Sequence, residues 1–453
     1  MRPSHPSLFS PNLSFTSQGP TNPRSLLRTF GTDPTTTPPR VTLYRDHAAW
    51  CPYCAKVWLQ LEAKRIPYKV VKINMRCYGN KPPEYMSRVP SGLLPALELD
   101  GVLHTDSAVI AQVLEAAFPD KTPLLPPPDD APATARHAAL MRLERQLFSD
   151  WLGWLCQGGG HEGRRAAFHR TLGLVEGALG AGAPGGGPFF MGAHPALADC
   201  VFAPFLERIS ASIPYYKGDA LRGDRAAYPA LNAWFDAMEA WPVYLGTKSD
   251  FYTHVHDLPP QLGGCAAHGS PAQAAMAGDI DGTDGASWSL PLAPLASAGP
   301  AAEWWPGEDP PADRLRAAAR LVENARGVTR FAARGPAPPG RPAVSAPLSD
   351  PYARADEAAI PAIDAALRLV AASLLSGPEA VDVRLVGSGG GGGAVPPSPP
   401  SSPLDGALAA SGLAYLRDRV GVPRDLPLPA ARQLRAHLNW FVGAVGGDVN
   451  VKR

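Results

Sequence analysis

Residues 41–73 read VTLYRDHAAWCPYCAKVWLQLEAKRIPYKVVKI, and this stretch decides the fold of the first domain. The β-branched and aromatic run Val41–Tyr44 predicts a strand. Apolar residues recur at helical spacing after the second cysteine and predict a helix. A second strand is predicted at Tyr68–Ile73. Cys51 and Cys54 therefore lie where a strand gives way to a helix.

The position of these two cysteines predicts a redox function. A thiol at the start of a helix faces unpaired backbone N–H groups and the positive end of the helix dipole, which favour the thiolate. Such surroundings bring the pKa of a cysteine from about 8.5 to roughly 3.5–7.5. Pro52 fits the first turn because its missing N–H would have no partner there. We expect Cys51 to be the exposed nucleophile and Cys54, one turn on, to resolve a mixed disulfide.

Half of a zinc site is the alternative interpretation of a lone CxxC pair. Structural zinc takes four protein ligands, and the sequence has neither a second CxxC nor an HxxxH pair to complete the set. We therefore predict no metal. The remaining cysteines are expected to be packing residues; they are Cys77, Cys156, Cys200 and Cys265.

The sequence after the second strand completes the pattern of the first domain. Val89–Pro95 reads VPSGLLP, and the runs ALEL and VLHT then flank Asp100-Gly101. Two extended runs around Asp-Gly predict a type I′ hairpin. Asp106 is a good N-cap for the helix that follows. The order β-α-β and then β-β-α is that of a thioredoxin-like domain.

These motifs resemble a known family. The CPYC motif between strand and helix, the VPSGLLP loop and the Asp-Ser helix start are similar to a glutathione transferase N-terminal domain with a glutaredoxin-type site. Four predicted amphipathic helices resemble the all-helical second domain of that superfamily; they cover 133–157, 163–182, 196–211 and 229–246. CPYC with a long C-terminal extension most resembles the iota class of photosynthetic organisms.

The resemblance implies a site for glutathione as cosubstrate. In it, Cys51 would form the disulfide with glutathione and Cys54 would lie beside it. Leu94, before a cis proline, would present backbone groups to the tripeptide, and the helix start would hold the γ-glutamyl end. The implied glutathione-binding residues are Tyr53, Lys81, Leu94, Pro95, Asp106 and Ser107. Asp106 replaces the usual glutamate, and Leu93 replaces a lysine of the family pattern.

The implied function is a glutathione-dependent thioltransferase or deglutathionylating enzyme that acts on small-molecule or protein mixed disulfides. A carrier of hydrophobic small molecules, conventional glutathione conjugation, and iron–sulfur cluster binding between two CPYC domains are the alternatives. In the carrier, an apolar pocket would be lined by aromatic residues of the second domain; they are Phe148, Trp151, Trp154 and Tyr215. A homodimer is compatible with either activity.

Composition limits the other classes of function. The 453 residues carry 42 basic and 41 acidic side chains, so no global charge attracts nucleic acid. We find no apolar run long enough to cross a bilayer. The 45 glycines and 52 prolines indicate long linkers.

The predicted organisation has a thioredoxin-like domain, a helical domain and a partly disordered helical extension. Residues 1–40 are rich in Arg, Ser and Pro and poor in acid, which is typical of a transit peptide or a disordered tail. We expect chloroplast import, with mitochondrion or cytoplasm as alternatives. The predicted segments are 1–40 (transit peptide), 41–119 (glutathione-binding domain), 120–132 (linker), 133–257 (helical domain), 258–302 (linker) and 303–453 (extension, with a low-complexity insert at 387–403).

Overall fold

The computed structural model describes most of the chain. The residues described are 22–180, 183–295, 303–340, 346–348, 350–383 and 405–447. The low-complexity insert predicted at 387–403 and the first half of the predicted transit peptide lie outside them.

The first domain is built on a five-stranded sheet. Its strands are β1 (Leu27–Arg28), β2 (Val41–Asp46), β3 (Tyr68–Ile73), β4 (Ala96–Leu99) and β5 (Val102–Thr105). They lie in the order β1-β3-β2-β4-β5, in which β2 and β3 are parallel and the other pairs antiparallel. The β4–β5 turn has φ of 50° at Asp100 and 86° at Gly101, as the predicted type I′ hairpin requires.

Three helices complete this thioredoxin-like domain: α1 (Pro52–Ala63), α2 (Pro83–Arg88) and α3 (Ser107–Ala117). The strands β2 and β3 are joined by α1, which gives the β-α-β order expected from the sequence. Val57, Trp58 and Leu61 of α1 are buried against the sheet. Helix α1, which begins directly after Cys51, is therefore packed against the sheet.

The second domain is helical. Its helices are α4 (Ala131–Leu155), α5 (His161–Leu179), α6 (Leu197–Lys217), α7 (Pro229–Glu239), α8 (Pro242–Leu245), α9 (Phe251–Leu262) and α10 (Pro271–Asp281). Nearly every residue of α6 is buried, and this helix packs against α1, α4, α9 and α10. Because α6 contacts α1, the core of the second domain supports the first turn of α1.

The chain continues into a third helical unit with a separate hydrophobic core. Its helices are α11 (Pro310–Glu323), α12 (Ala325–Ala332), α13 (Ile360–Ser376), α14 (Gly406–Arg417) and α15 (Leu428–Ala444). We call this unit, α11 to α15, the extension.

One helix of the extension corrects the expectation that no apolar run could span a bilayer. The segment Glu357–Ser376 consists of α13 and the short 3-10 turn directly before it. It has a mean hydropathy of 1.7 and is long and apolar enough, by length and composition, to span a bilayer. Ile363, Val370 and Leu374 of this helix are buried in the core of the extension. Its apolar face is therefore used in helix packing, and the helix does not indicate a membrane span.

The described part of residues 1–40 is folded, contrary to the prediction of a transit peptide or disordered tail through residue 40. β1 pairs with β3, and Arg28 donates to both carboxylate oxygens of Glu62 at 2.8 Å. Tyr68 donates to the same carboxylate at 2.5 Å. The strand is too short to be recognised from the sequence, and its partners lie far along the chain.

The segment 258–302, predicted to be a linker, contains the end of α9 and all of α10. Ser270 caps α10 by accepting from the N–H of Gln273 at 3.2 Å. Tyr215 of α6 donates to Asp281 at 2.9 Å. The alanine and glycine content of this segment led to the prediction of a linker. The helix α10 is stabilised by polar contacts that its composition does not indicate.

Arg28→Ala is expected to lower the free energy of unfolding by about 3–5 kcal/mol, because the buried Glu62 carboxylate loses its cationic partner and keeps only the Tyr68 hydroxyl as a donor. The measurement is urea unfolding followed by circular dichroism. Arg40→Ala is the matched control, since Arg40 pairs with Asp100 on the surface and its loss should change stability far less. Equal effects would contradict the assignment of residues 22–30 to the fold.

Candidate active site

Cys51 lies at the N-cap of α1, which begins at Pro52. The prediction that Cys51 is exposed is wrong: Cys51 is 7% exposed and Cys54 2%. The burial follows from the packing of Trp50, directly before Cys51, into the hydrophobic core. The thiol sulfur of Cys51 lies 4.0 Å from the backbone oxygen of Leu94. The thiol and the proline loop are therefore adjacent.

Asp46, at the end of β2, is a third polar group beside the two thiols. A carboxylate oxygen of Asp46 and both sulfurs lie within 4.8 Å of one another. Its Oδ2 accepts from the N–H of Trp50 at 2.7 Å. Asp46 was missed in the sequence, although an acidic residue at the end of a buried strand was a usable signal.

Asp46, Cys51 and Cys54 together offer three ligands, one fewer than the four that structural zinc takes.

Burial raises the pKa of the Cys54 thiol well above its ordinary value, and Cys51 and Asp46 raise it further. Cys54 is therefore a poor thiolate at neutral pH.

The proline loop contains the cis peptide that the resemblance implied, between Leu94 and Pro95. Tyr85 donates from its hydroxyl to the Leu93 oxygen at 2.5 Å. The stem of Lys81 packs against this loop, because a Cβ on Gly92 would lie 3.5 Å from the Lys81 Cδ. Burial lowers the pKa of Lys81, and the charges of the nearby thiols oppose that shift.

Asp106 and Ser107 lie at the start of α3. Asp106 adopts a φ of 75° and caps the helix by accepting from the N–H groups of Ala108 at 2.8 Å and Val109 at 3.3 Å. One carboxylate oxygen makes both contacts, so the other is available to a ligand. Both residues line a cavity of about 750 Å³.

The cavity lies between α1, α3, α4 and α6 and has a mixed lining. Tyr53 and the apolar side chains Met141, Phe148 and Phe205 form part of it. Its charged part includes Lys56 and Glu144, which pair at 2.8 Å. A cavity of this composition suits an apolar molecule with a polar end.

Three of the four aromatic residues expected to line a carrier pocket lie elsewhere. Trp151 and Trp154 are fully buried in the core, and Tyr215 bonds to Asp281. Phe148 does line the cavity. The helical spacing of the aromatic residues could not tell a core-facing ring from a cavity-facing one.

The predicted site residues thus fall into two neighbouring groups. Tyr53, Asp106 and Ser107 line the cavity. The other residues surround the thiols and are not among its lining; they are Cys51, Cys54, Lys81, Leu94 and Pro95. Because Tyr53 is two residues after Cys51, the first turn of α1 joins the two groups.

Two family models match segments of the first two domains. Residues 50–117 match the family model "Glutathione S-transferase, N-terminal domain", and residues 133–237 match "Glutathione S-transferase, C-terminal domain". The chain is 28% identical over 167 residues to "Glutathione S-transferase DHAR3, chloroplastic" of Arabidopsis thaliana, a match that covers 37% of this chain and 58% of that protein. This chain thus spans less than two thirds of the length of that relative.

Two further similarities come from animals and fungi. The chain is 28% identical over 220 residues to "Glutathione S-transferase omega-1" of Mus musculus, covering 45% of this chain and 80% of that protein. Among solved structures, glutathione transferase Omega 3C from Trametes versicolor matches with a TM-score of 0.40 and 28% identity, covering 47% of this chain and 86% of that one.

Glutathione is the cosubstrate of the family to which both matched domain models belong. The cysteine motif, the proline loop and the start of α3 lie within the first matched segment. The chain therefore contains both domains of the glutathione S-transferase superfamily, a thioredoxin-like domain followed by the helical domain.

Proposed function

We propose that this protein is a glutathione-dependent thiol transferase and reductase in which Cys51 forms a mixed disulfide with glutathione. The observation that carries the proposal is the placement of the Cys51 sulfur at the N-cap of α1, 4.0 Å from the Leu94 oxygen of the proline loop. The N-cap position puts Cys51 at the positive end of the dipole of α1, and the loop offers backbone groups to a peptide. Cysteine at this position suits disulfide exchange better than conjugation.

The proposed reaction begins with a glutathione mixed disulfide. The Cys51 thiolate attacks the glutathione sulfur, the bond to the partner sulfur breaks, and the partner leaves as a thiolate that takes up a proton. A second glutathione thiolate then attacks the glutathione sulfur held on Cys51. This step releases glutathione disulfide and restores the Cys51 thiolate.

Cys54 offers a second route, in which its thiolate attacks the Cys51 sulfur, forms a Cys51–Cys54 disulfide and releases glutathione as a thiolate. Two further glutathione molecules then reduce this disulfide to the two thiols and leave as glutathione disulfide. The raised pKa of Cys54 disfavours this route at neutral pH, because the thiolate is the attacking species. We therefore propose that glutathione itself completes the main cycle. When glutathione is scarce, Cys54 then protects Cys51 by forming a disulfide with it.

Glutathione is proposed to lie along the proline loop and reach the start of α3. The backbone of Leu94 would bind the cysteinyl part, while Asp106 and Ser107 would hold the γ-glutamyl end. The γ-glutamyl carboxylate would meet the N-terminus of α3, and its ammonium would meet the Asp106 carboxylate. Tyr53 and Lys81 flank the same path, on the cavity side and on the loop side respectively.

The cavity supports a second candidate function. Its apolar side chains favour acceptors with a hydrophobic part, or non-covalent carriage of such molecules. Turnover of disulfide substrates that depends on Cys51 would favour the transferase over the carrier. Ligand binding that survives loss of Cys51, without turnover, would favour the carrier.

Class and compartment are proposed from the sequence. The CPYC motif and the extension suggest the iota class. The Arg-bearing, Ser-rich and acid-poor composition of residues 1–40 suggests chloroplast import, and one relative is named as chloroplastic. Assembly into a homodimer is proposed on the resemblance alone.

Treatment with glutathione disulfide is expected to add one glutathione to the wild-type protein at Cys51. Cys51→Ser should abolish the adduct because the second thiol is buried and weakly acidic. Cys54→Ser should retain it, and the adduct should accumulate because internal resolution is lost. Intact-protein and fragment mass spectrometry measure all three; an adduct mapped to Cys54 in the wild-type protein, lost in Cys54→Ser and kept in Cys51→Ser, would reverse the assigned roles.

Asp106→Asn should raise the KM for glutathione about tenfold or more, because a hydrogen bond to a charged group is worth about 1.5–3 kcal/mol. Asparagine keeps the cap of α3 and tolerates positive φ, so the melting temperature should change little. Steady-state kinetics with glutathione varied give the result.

Asp130→Asn is the control for this substitution, since Asp130 caps α4 in the same way by accepting from the Ala133 N–H at 3.0 Å. Its KM should stay at the wild-type value. A KM for Asp106→Asn equal to that of the control would remove Asp106 from the proposed glutathione site.

A further inference from the structure

The loop between α14 and α15 of the extension contacts Trp50, the residue before Cys51. The indole Nε1 of Trp50 donates to the Val422 backbone oxygen at 3.0 Å, across 372 positions of sequence. Both side chains are fully buried. We call residues 418–425 the extension loop.

Polar groups at the start of α9 bind the extension loop to the second domain. The Val422 N–H donates to the Thr253 hydroxyl at 3.0 Å, and Ser249 donates to the Val422 oxygen. Tyr252 donates to the backbone oxygen of Asp418 at 2.9 Å. The position of the loop is therefore set by hydrogen bonds that leave it little freedom.

A buried ion pair strengthens this attachment. Arg435 of α15 pairs with Asp250, the N-cap of α9, and both side chains are almost fully buried. Arg435 also donates to the Val420 oxygen at 2.5 Å. Because losing one partner of a buried pair is costly, the extension is expected to remain docked.

The ring of Trp50 is packed tightly by the extension loop. The Arg424 guanidinium lies over the ring at 4.7 Å from its centre. A Cβ added to Gly421 would lie 2.5 Å from Cζ2 of Trp50. Since real Cβ contacts are not that short, any larger residue at 421 must displace the ring. Gly421 is therefore required for the close approach and not for a special backbone angle.

The backbone of Trp50 is held by the rest of the fold. Its N–H donates to Asp46 at 2.7 Å, and its carbonyl oxygen accepts from Arg208 of α6. That carbonyl belongs to the same peptide group as the Cys51 nitrogen. A displacement of the indole is thus transmitted to the first turn of α1.

We propose that the extension loop positions Cys51 through Trp50, so that full thiol reactivity depends on the extension. Gly421, Val422 and Arg424 are the positioning residues; none of them touches the thiol in the contacts described above. The inference rests on the proposed function only in treating Cys51 as the reactive thiol. Its test uses a reagent that does not require glutathione binding.

The test measures the rate of Cys51 alkylation by iodoacetamide from pH 5 to 9, mapped by mass spectrometry. Gly421→Ala should slow the reaction at pH 7 at least fivefold and move its pH midpoint upward, because a displaced Trp50 no longer holds Cys51 at the N-cap position of α1. Trp50→Phe should slow it to a similar extent by losing the indole donor. In the Trp50→Phe background, Gly421→Ala should add less than a twofold change, since phenylalanine lacks the atom that Cβ would meet.

Gly406→Ala is the matched control in the extension. A Cβ at this position would meet Val445 at an ordinary 3.8 Å, so the rate and the pH midpoint should match wild type. The proposal is overturned if Gly421→Ala behaves like this control, or if it has the same effect in the Trp50→Phe background as in the wild-type protein. If Gly421→Ala does not fold, a Trp50→Phe protein with wild-type rate and midpoint overturns it.

Loss of the proposed glutathione activity would look different. If wild-type Cys51 reacts with iodoacetamide but never forms a glutathione adduct, the proposed function fails. The alkylation rates of the variants then still test the positioning role. If glutathione adds to Cys51 equally fast in the wild-type protein and in every variant, the positioning role fails and the proposed function stands.

Discussion

The position of the Cys51 thiol depends on the peptide group between Trp50 and Cys51. Cys51 is the N-cap of α1, and the effect of a helix dipole falls off within the first turn, so a small shift of this peptide changes the surroundings of the thiol. The carbonyl of that peptide group, between Trp50 and Cys51, accepts from the Arg208 guanidinium of α6, and the N–H of Trp50, in the preceding peptide group, donates to the Asp46 carboxylate of the sheet. The indole next to it is held by the extension. The thioredoxin-like domain, the helical domain and the extension therefore all contact Trp50. The position of the Cys51 thiol follows from the way these three units pack.

The groups that hold this junction are charged and buried, which is an expensive way to build an interface. Arg208, Arg435 and Asp250 are each nearly fully buried and have polar partners. Apolar side chains would pack as firmly but would not define a direction. Hydrogen bonds with fixed donor and acceptor geometry set the orientation of the peptide as well as its position. This explains why the junction before Cys51 is surrounded by polar groups inside an otherwise apolar core.

The sequence-based prediction was strongest where the signal is local. The β-α-β order and the Asp-Gly hairpin each depend on residues adjacent in sequence, and the structure has both. The cis bond before Pro95 was expected from the resemblance, and it is also present. It failed for contacts made at a distance. Folding of residues 22–40 depends on Glu62, and the burial of Cys51 depends on packing from other units. The helix α10 lies in a segment whose composition resembles a linker.

The amino-acid sequence alone determined the thioredoxin-like order and the helix start at Cys51. Both follow from backbone propensity and capping, which act within a few residues, whereas the candidate glutathione site was expected from the resemblance of the motifs to a family. Only the tertiary structure decided that Cys51 is buried, that Asp46 lies beside both thiols and that Val422 holds Trp50. Those facts depend on which distant surfaces pack together, and local sequence carries no information about partners 372 positions away.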